Sequence, residues 1–367
     1  MNRRQFLQLT TGIPLLQALP VVAAETATTR FLSAHADADG NHYISGFDET
    51  GLHQFRIGLP SRGHAIAISP DGRQAAAVAR RPGRYLLIIE LTSGRIVYGM
   101  KSRTNRHFYG HGTFSPDGRW FYTTENDFAN GRGVIGVRDV KQGYRQVDEY
   151  SSYGVGPHEL GLLSDGVTLV VANGGIRTHP DTGRAKLNLA TMRSSLTYID
   201  RRSGKMLEQH FLTDDYHKNS IRHLAITRND QVCCAMQYQG RRTRQPPLIG
   251  IHRRGESSHL LTAPDPVQKR MRNYCGSVCT DVSGMVFAVS SPRGGLVTFW
   301  HANSGDYLGQ VDVIDGCGIA AGSEPGQFFL SSGQGAVYRY QLGAKDLRLL
   351  PWADEGDCRW DNHMLRI

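Results

Sequence analysis

The chain has 367 residues, with 42 Lys and Arg against 33 Asp and Glu, and a formal net charge of +9. This length is ample for a large hydrophobic core. The basic residues are scattered rather than gathered into one stripe, which argues against a nucleic-acid partner. A mildly basic surface instead favours anionic ligands or an acidic partner protein.

Residues 1–24 have the pattern of an export signal. Arg3 and Arg4 precede a modest apolar stretch that ends in small residues, with Ala24 at the expected cleavage point. Glycine and proline interrupt the stretch, which is too short for a good membrane span. The alternative is an ordinary buried first helix. We predict a signal peptide of the twin-arginine type, a periplasmic location and no transmembrane segment after its removal.

One short motif recurs along the chain. The stretches "RGHAIAISPDG", "YGHGTFSPDG" and "PHELGLLSDG" each place a histidine before an apolar run and a turn that ends in glycine. Their turn glycines, Gly72, Gly118 and Gly166, are separated by 46 and 48 residues. A repeat of roughly 40 to 50 residues with four short strands is typical of a β-propeller blade.

A second family of glycine-ended turns, such as "LTSG" and "ANSG", separates the third and fourth strands of each unit. Counting first strands gives seven blades, with predicted first strands at 64–68, 111–115, 158–163, 223–227, 275–280, 317–322 and 361–367. The last of these would join N-terminal strands at 30–35, 42–47 and 52–57, closing the ring. We therefore predict an all-β, seven-bladed propeller that forms a single domain over residues 25–367.

The repeat brings potential metal ligands together on one face. The short turns belong to one face of such a disc, whereas the starts of the first strands and the variable loops belong to the other. Neutral imidazole and thiolate are preferred ligands of iron, copper and zinc, and they also ligate haem. The starts of the seven first strands carry the candidate ligands His64, His111, His158, His223, His363, Cys275 and Cys317.

Further polar residues of this face would orient those ligands or bind an anion. These candidates are Glu125, Asp127, Glu159, Asn173, Arg177, His179 and Arg293. An alternative explains the histidines without a ligand, because a polar residue at this point can hydrogen-bond the backbone of the neighbouring blade and be copied by repeat duplication. Cys275 and Cys317 could equally form a disulfide or be small residues that fit a crowded channel.

The chain also resembles a known family. The stretches "GHGTFSPDG", "VVANGGIRTHPDTGRAKLNL", "NYCGS" and "DGCGIAA" are similar to an uncharacterised, domain-of-unknown-function family of twin-arginine-exported bacterial seven-bladed propellers. Members are associated with imelysin-like iron-uptake loci. The resemblance implies a periplasmic role in iron acquisition, with imelysin-like proteins as partners. It assigns no roles to individual residues.

The sequence favours a binding protein over an enzyme, because no motif pairs a nucleophile with its base. We expect an accessory protein of iron or other transition-metal acquisition, which holds the metal or its chelate on the loop-rich face. The alternatives are a metal-dependent oxidoreductase or lactonase-like hydrolase that uses the same face, and a protein-docking scaffold. The choice among iron, copper, zinc and haem stays open at this point.

Overall fold

The computed structural model describes residues 30–350 and 358–367. The signal peptide predicted at 1–24 lies outside these residues. The described chain forms seven four-stranded antiparallel sheets, and the innermost strand of each contacts the innermost strands of both neighbours. The prediction of a seven-bladed β-propeller is confirmed.

Each blade consists of four strands that follow one another from the axis outward. Blades 1 to 3 contain β1 (Phe31–Ala36), β2 (His42–Phe47) and β3 (His53–Leu59); β4 (Gly63–Ile68), β5 (Gln74–Ala79), β6 (Tyr85–Glu90) and β7 (Arg95–Lys101); β8 (Arg106–Phe114), β9 (Trp120–Asp127), β10 (Arg132–Asp139) and β11 (Arg145–Ser151). Blades 4 and 5 contain β12 (Pro157–Leu162), β13 (Thr168–Asn173), β14 (Ser195–Asp200) and β15 (Met206–Phe211); β16 (Asn219–Ile226), β17 (Val232–Tyr238), β18 (Ile249–His252) and β19 (His259–Leu261).

Blades 6 and 7 complete the disc. They contain β20 (Ser277–Thr280), β21 (Val286–Ser291), β22 (Leu296–His301) and β23 (Tyr307–Asp312); β24 (Gly316–Ala321), β25 (Gln327–Ser332), β26 (Val337–Gln341) and β27 (Asp346–Leu349). The last strand, β28 (Arg359–Arg366), belongs to blade 1. Helix is confined, within the described residues, to α1 (Asp265–Arg270) and four single 3-10 turns. No helix of this part of the chain has the length and apolarity needed to cross a membrane.

Strand β28 closes the ring, as the sequence predicts. It pairs antiparallel with β1, with Arg366 opposite Phe31 and Trp360 opposite His35. The backbone N–H of Ile367 donates to the carbonyl of Arg30 over 2.8 Å. Blade 1 is therefore built from both ends of the described chain, and its innermost strand is the C-terminal one.

The recurring Ser-Pro-Asp-Gly motif forms the turn between the first and second strands. In blade 2, the Ser69 hydroxyl donates to Asp71 over 2.6 Å and accepts from the Gln74 N–H over 2.9 Å. Gly72 has a φ of 68°, which favours glycine. The same contacts recur in blade 3. These contacts are internal to the turn, so the motif builds the blade.

The hydrophobic core lies between adjacent blades. One cluster, for example, joins Leu32 of blade 1 to Ile88 of blade 2 and Phe121 of blade 3, all fully buried. Because the faces of the sheets are used in this packing, only the innermost strands are left to line the central axis. All the candidate ligands except Cys275, which precedes β20, lie on these strands.

Candidate functional site

A β-bulge turns each histidine of the inner strands toward the axis. In four of the five blades that carry one, the strand register shifts across the histidine position, and in blade 5 it shifts at Arg222, directly before His223. The shifts fall at Gly63/Ile66, Phe108/Gly112, Pro157/Glu159, Ile221/His223 and, opposite His363, at Ser33/His35. A bulge inserts an extra residue and re-aims a side chain, and bulges are frequent beside active sites.

The five histidines meet on the axis. Their ring centroids lie 4.5 to 6.2 Å apart in nine of the ten possible pairs. Two triads within this cluster have ligand atoms within 4.8 Å of one another, and His111 belongs to both. The triads are His64, His111 and His158, and His111, His223 and His363. We call these five residues the histidine cluster.

Two carboxyl groups, the buried Asp361 and the partly buried Glu159, contact three of the imidazoles at their Nδ1 atoms. Asp361 Oδ1 lies 3.1 Å from His64 Nδ1. Glu159 reaches two rings, with Oε2 3.2 Å from His223 Nδ1 and Oε1 3.5 Å from His111 Nδ1. A carboxylate on one ring nitrogen is the usual partner of a metal-ligating histidine, because it orients the ring and increases its basicity.

The other ring nitrogens of the histidine cluster have no partner in the described chain. Nε2 of His64, His111, His223 and His363 is buried without a hydrogen bond, as is Nδ1 of His158. Among the described residues, these five atoms make no hydrogen bond to the backbone of a neighbouring blade, whereas Nδ1 of His64 and Nδ1 of His223 each contact a carboxylate of the adjacent blade. Buried polar atoms are rarely left unpaired, so these five nitrogens are candidates to hold a ligand, an ion or ordered water.

The electrostatics keep these imidazoles neutral. Burial, followed by the charges of neighbouring histidines and Arg222, holds the pKa of His111 well below its usual 6.5. The pKa values of His158, His223 and His363 are likewise depressed, and burial lowers that of His64 to about 4. A neutral imidazole is the form that ligates a metal.

The two carboxyl groups differ in charge. Burial raises the pKa of Glu159 to about 8, so in the metal-free protein this group holds a proton at neutral pH. Burial would also raise the pKa of Asp361, but the hydrogen bond from His64 and the charges of His64, Arg80 and Arg62 hold it well below 3.8. Metal binding near Glu159 would displace its proton.

The histidine cluster divides the central channel into two parts. Toward the turn face, a cavity of about 250 Å³ touches His111 and His363 and is lined mainly by aliphatic side chains of the inner strands. Toward the loop-rich face, a cavity of about 440 Å³ is lined by polar residues that include Arg62, Asp361 and Arg293. The first cavity borders two histidines of the cluster, and the second borders Asp361, the carboxylate that contacts His64.

Three arginines that the sequence analysis did not single out as a group lie beside the cluster. The charges of Arg80 and Arg81 act on Arg222, and the charge of Arg222 acts on His158 and His223. Burial, with those two charges, lowers the pKa of Arg222 to about 9. The position of Arg222, immediately before a candidate ligand on the same strand, was a signal that could have identified it. Asp361 carries the same signal, two residues before His363.

The two candidate cysteine ligands lie outside the histidine cluster. Cys275 is fully buried in the hydrophobic core between blades 5 and 6, with its thiol 3.8 Å from the carbonyl of Leu248. The Cys317 thiol lies 3.0 Å from the carbonyl of Asp315. All six cysteines have free thiols, and burial raises the pKa of both Cys275 and Cys317. These two thiols are protonated and do not form a disulfide.

Of the residues predicted to orient ligands or bind an anion, only Glu159 reaches the cluster. Glu125 pairs with Arg138 over 2.7 Å inside blade 3. Asp127 pairs with Arg106 over 2.7 Å. The Asn173 amide donates to the Ser152 carbonyl over 2.9 Å. These side chains connect strands and loops, so their contacts in the structure are internal to the fold.

The remaining candidates lie on loops. His179 accepts from the backbone N–H of Asp181 over 3.3 Å at a 3-10 turn, and its side chain is 33% exposed. Arg177 is exposed. The Arg293 guanidinium stacks over Tyr274, 4.3 Å from the ring centroid, and lines the polar cavity. Arg293 is the candidate of this group that borders the mouth of the channel.

Gly110 fixes the position of His64, and its substitution should disturb the cluster. Gly110 has a φ of 111°, and a Cβ there would lie 2.5 Å from His64 Cδ2. We expect Gly110→Ala to displace His64 and to lower the melting temperature by several degrees, because strain of this kind costs about 1–3 kcal/mol. Gly58→Ala, where a Cβ meets nothing within 4 Å, is the control for differential scanning calorimetry. Equal melting temperatures for the two variants would contradict the expected clash.

The fold and the site define the protein as a seven-bladed β-propeller with a histidine-lined axis. A family model described as "Protein of unknown function (DUF1513)" matches residues 57–367, and the chain belongs to that family. No curated protein matches it significantly. Among solved structures it is similar to hydrazine synthase from Kuenenia stuttgartiensis, with a TM-score of 0.59, 14% identity and coverage of 92% of this chain and 99% of that chain. At this identity the similarity concerns the fold alone.

Proposed function

We propose that this propeller binds one transition-metal ion among the histidines of its axis and serves in transition-metal acquisition. One observation carries the proposal. The inward nitrogens of His64, His111 and His223 are buried and unpaired, while carboxylates hold the opposite nitrogens of the same rings. This is the arrangement that orients imidazoles for a metal.

The donor set favours particular metals. Neutral imidazoles suit zinc, copper, iron and nickel, whereas magnesium and calcium prefer oxygen ligands. The protonated thiols of Cys275 and Cys317 lie elsewhere, so the site would not select a thiolate-preferring ion. Ring centroids only 4.5 to 6.2 Å apart leave no space for a macrocycle among the rings. The proposal therefore concerns a metal ion or a small metal complex rather than haem.

The cellular setting is part of the proposal. Arg3 and Arg4, with the apolar stretch that follows them, support export to the periplasm by the twin-arginine route. The resemblance to propellers of imelysin-like iron-uptake loci supports iron as the cargo and imelysin-like proteins as partners. Export of a folded chain would allow the ion to be inserted before the protein crosses the membrane.

Metal content tests the proposal directly. Protein purified without chelators is expected to contain about one transition-metal ion per chain by elemental analysis. EDTA treatment should remove the ion, and Fe²⁺, Zn²⁺ or Co²⁺ should each restore one equivalent. Bound Co²⁺ should show visible absorption bands of a nitrogen-ligated site. A stripped protein that takes up none of the three ions would overturn the proposal.

A further inference from the structure

Arg80, Arg81 and Arg222 form a group of positive charges without counter-charges. None of the three side chains makes a hydrogen bond or an ion pair with the described part of the chain, and Nε of Arg222 is buried without a partner. Other arginines of the molecule have such partners, as Arg106 does with Asp127 and Glu149. A group of unpaired guanidiniums is destabilising unless an anion joins it.

The group lies on the loop-rich side of the histidine cluster. Arg222 directly precedes His223, and its charge acts on His111, His158 and His223. Arg80 acts on His64, His363 and Asp361. Arg222 therefore adjoins a candidate ligand on its own strand, and Arg80 is close enough for its charge to act on histidines of the cluster.

The charges near the cluster do not balance. The groups near the cluster include two carboxyl groups, Glu159 and Asp361, and the guanidiniums of Arg62, Arg80, Arg81 and Arg222, and Asp361 is already paired with Arg62. Even with Glu159 ionised, two positive charges are in excess before any metal binds. A divalent cation would increase that excess to four. A bound anion with two or more negative charges would restore much of the balance.

We infer that Arg80, Arg81 and Arg222 bind a multiply charged oxyanion, a polycarboxylate or a phosphate, directly beside the histidine cluster. Guanidinium groups match the geometry of carboxylate and phosphate oxygens and bind them by charge-assisted hydrogen bonds. The anion site itself does not depend on a metal. Its further role rests on the proposed function: the metal would be held together with its anion, as a metal–oxyanion complex.

Calorimetric titration of the metal-free protein tests this site. Citrate and inorganic phosphate are titrated separately in chloride buffer, with acetate as the singly charged control. At least one of the two multivalent anions is expected to bind at one equivalent, and acetate much more weakly. Which of the two binds more tightly distinguishes a polycarboxylate from a phosphate ligand. Binding of neither, or of acetate equally well, would overturn the inference.

Two substitutions and a matched control locate the anion. Arg222→Gln and Arg80→Gln are each expected to weaken its binding about tenfold or more. Arg241→Gln removes an exposed arginine from a loop of the same face and should leave the affinity unchanged. Unchanged affinity in both site variants would place the anion elsewhere and overturn the inference.

Thermal stability provides a second measurement, which also controls for folding. Without the anion, Arg222→Gln should melt at the same temperature as the wild type or higher, because it removes a buried, unpaired charge. The bound anion should raise the melting temperature of the wild type but not that of Arg222→Gln. An equal rise in both proteins would contradict the assignment.

The outcome separates this inference from the proposed function. Anion binding to a protein that takes up no Co²⁺ would sustain the anion site and overturn the metal site. Co²⁺ binding without anion binding would support the metal site and overturn the anion site. If both are correct, phosphate should bind more tightly to the Co²⁺-loaded protein than to the metal-free protein, and phosphate should increase the affinity for Co²⁺ by the same factor. Independent binding would overturn the idea of a joint metal–oxyanion complex.

Discussion

His111→Ala is expected to reduce the affinity for the metal ion at least about 100-fold, because loss of a ligand should exceed the 10- to 100-fold cost of losing a residue that orients one. His111 belongs to both triads of the histidine cluster. Its removal therefore disables the site whichever triad holds the ion. Competition between the protein and a chromophoric chelator for Zn²⁺ or Co²⁺ measures the effect.

Single substitutions in the two triads identify the one that is used. If the ion lies between His64, His111 and His158, His158→Ala should lower the metal affinity more than His223→Ala does. A larger loss of affinity in His223→Ala would indicate the second triad. Glu159→Gln should lower the metal affinity by an intermediate amount, about 10- to 100-fold, since it removes only the carboxylate that orients His111 and His223.

The control is His259→Ala, which removes an exposed histidine on the outermost strand of blade 5. It should bind the metal as the wild type does. Circular dichroism and thermal unfolding of each variant separate a lost ligand from a lost fold. Unaltered affinity in a folded His111→Ala protein would contradict the axial metal site.

Acidification from pH 7 to pH 5.5 should cost the metal-free protein several kcal/mol of unfolding free energy. The five clustered histidines have folded-state pKa values below the 6.5 of an unfolded chain. Above pH 6.5 these histidines are mostly neutral in both the folded and the unfolded state, so their burial makes little pH-dependent contribution to the free energy of unfolding. Below pH 6.5, these histidines take up protons in the unfolded state but stay neutral in the folded state. The free energy of unfolding therefore decreases as the pH falls, by about 1.4 kcal/mol per histidine at pH 5.5.

Glu159 acts in the opposite direction. Its folded-state pKa, about 8, is raised by burial. Its contribution to stability is therefore fully present below pH 4.5 and is lost as the pH rises toward 8. Between pH 7 and 5.5 this single carboxyl group offsets the effect of about one histidine. Asp361, whose pKa is depressed, affects stability only below its unfolded value of 3.8.

Urea unfolding at pH 7, 6.5 and 5.5 measures this dependence. The replacement His158→Gln should reduce the pH slope by about one proton, whereas His259→Ala should leave it unchanged. A midpoint that does not move between pH 7 and 5.5 would mean that the clustered histidines take up protons in the folded state. Their depressed pKa values would then be wrong.

The sequence predicts the fold well because propeller blades are specified locally. Ser-x-Asp-Gly turns bond within themselves, and their spacing of 46 to 48 residues counts the blades directly. The first strands of three blades, β4, β12 and β24, start within one residue of the predicted position, and β28 closes the ring as predicted. The other four starts differ by two to five residues: β8 begins five residues before the predicted start, β16 four before, β28 two before and β20 two after.

The site is only partly predictable, because a repeat gives position along a strand but not the direction of a side chain. His64, His111 and His158 lie eight, seven and eight residues before their turn glycines, and register shifts in the strands accompany that unequal spacing. The innermost strand of blade 6, β20, has no such shift, and Cys275 lies before it in the core. Charge pairing between blades is equally invisible in the sequence. The Arg62–Asp361 contact joins residues 299 positions apart.

The proposed metal site is complete only when the closing strand has docked and the ring is shut. Asp361 and His363 both lie on β28, so one anchoring carboxylate and one candidate ligand arrive only when this strand docks against β1. A ring left open at blade 1 would lack one triad and the support of the other. An ion bound there would link β28 to the inner strands of other blades, and opening the ring at blade 1 would release the ion.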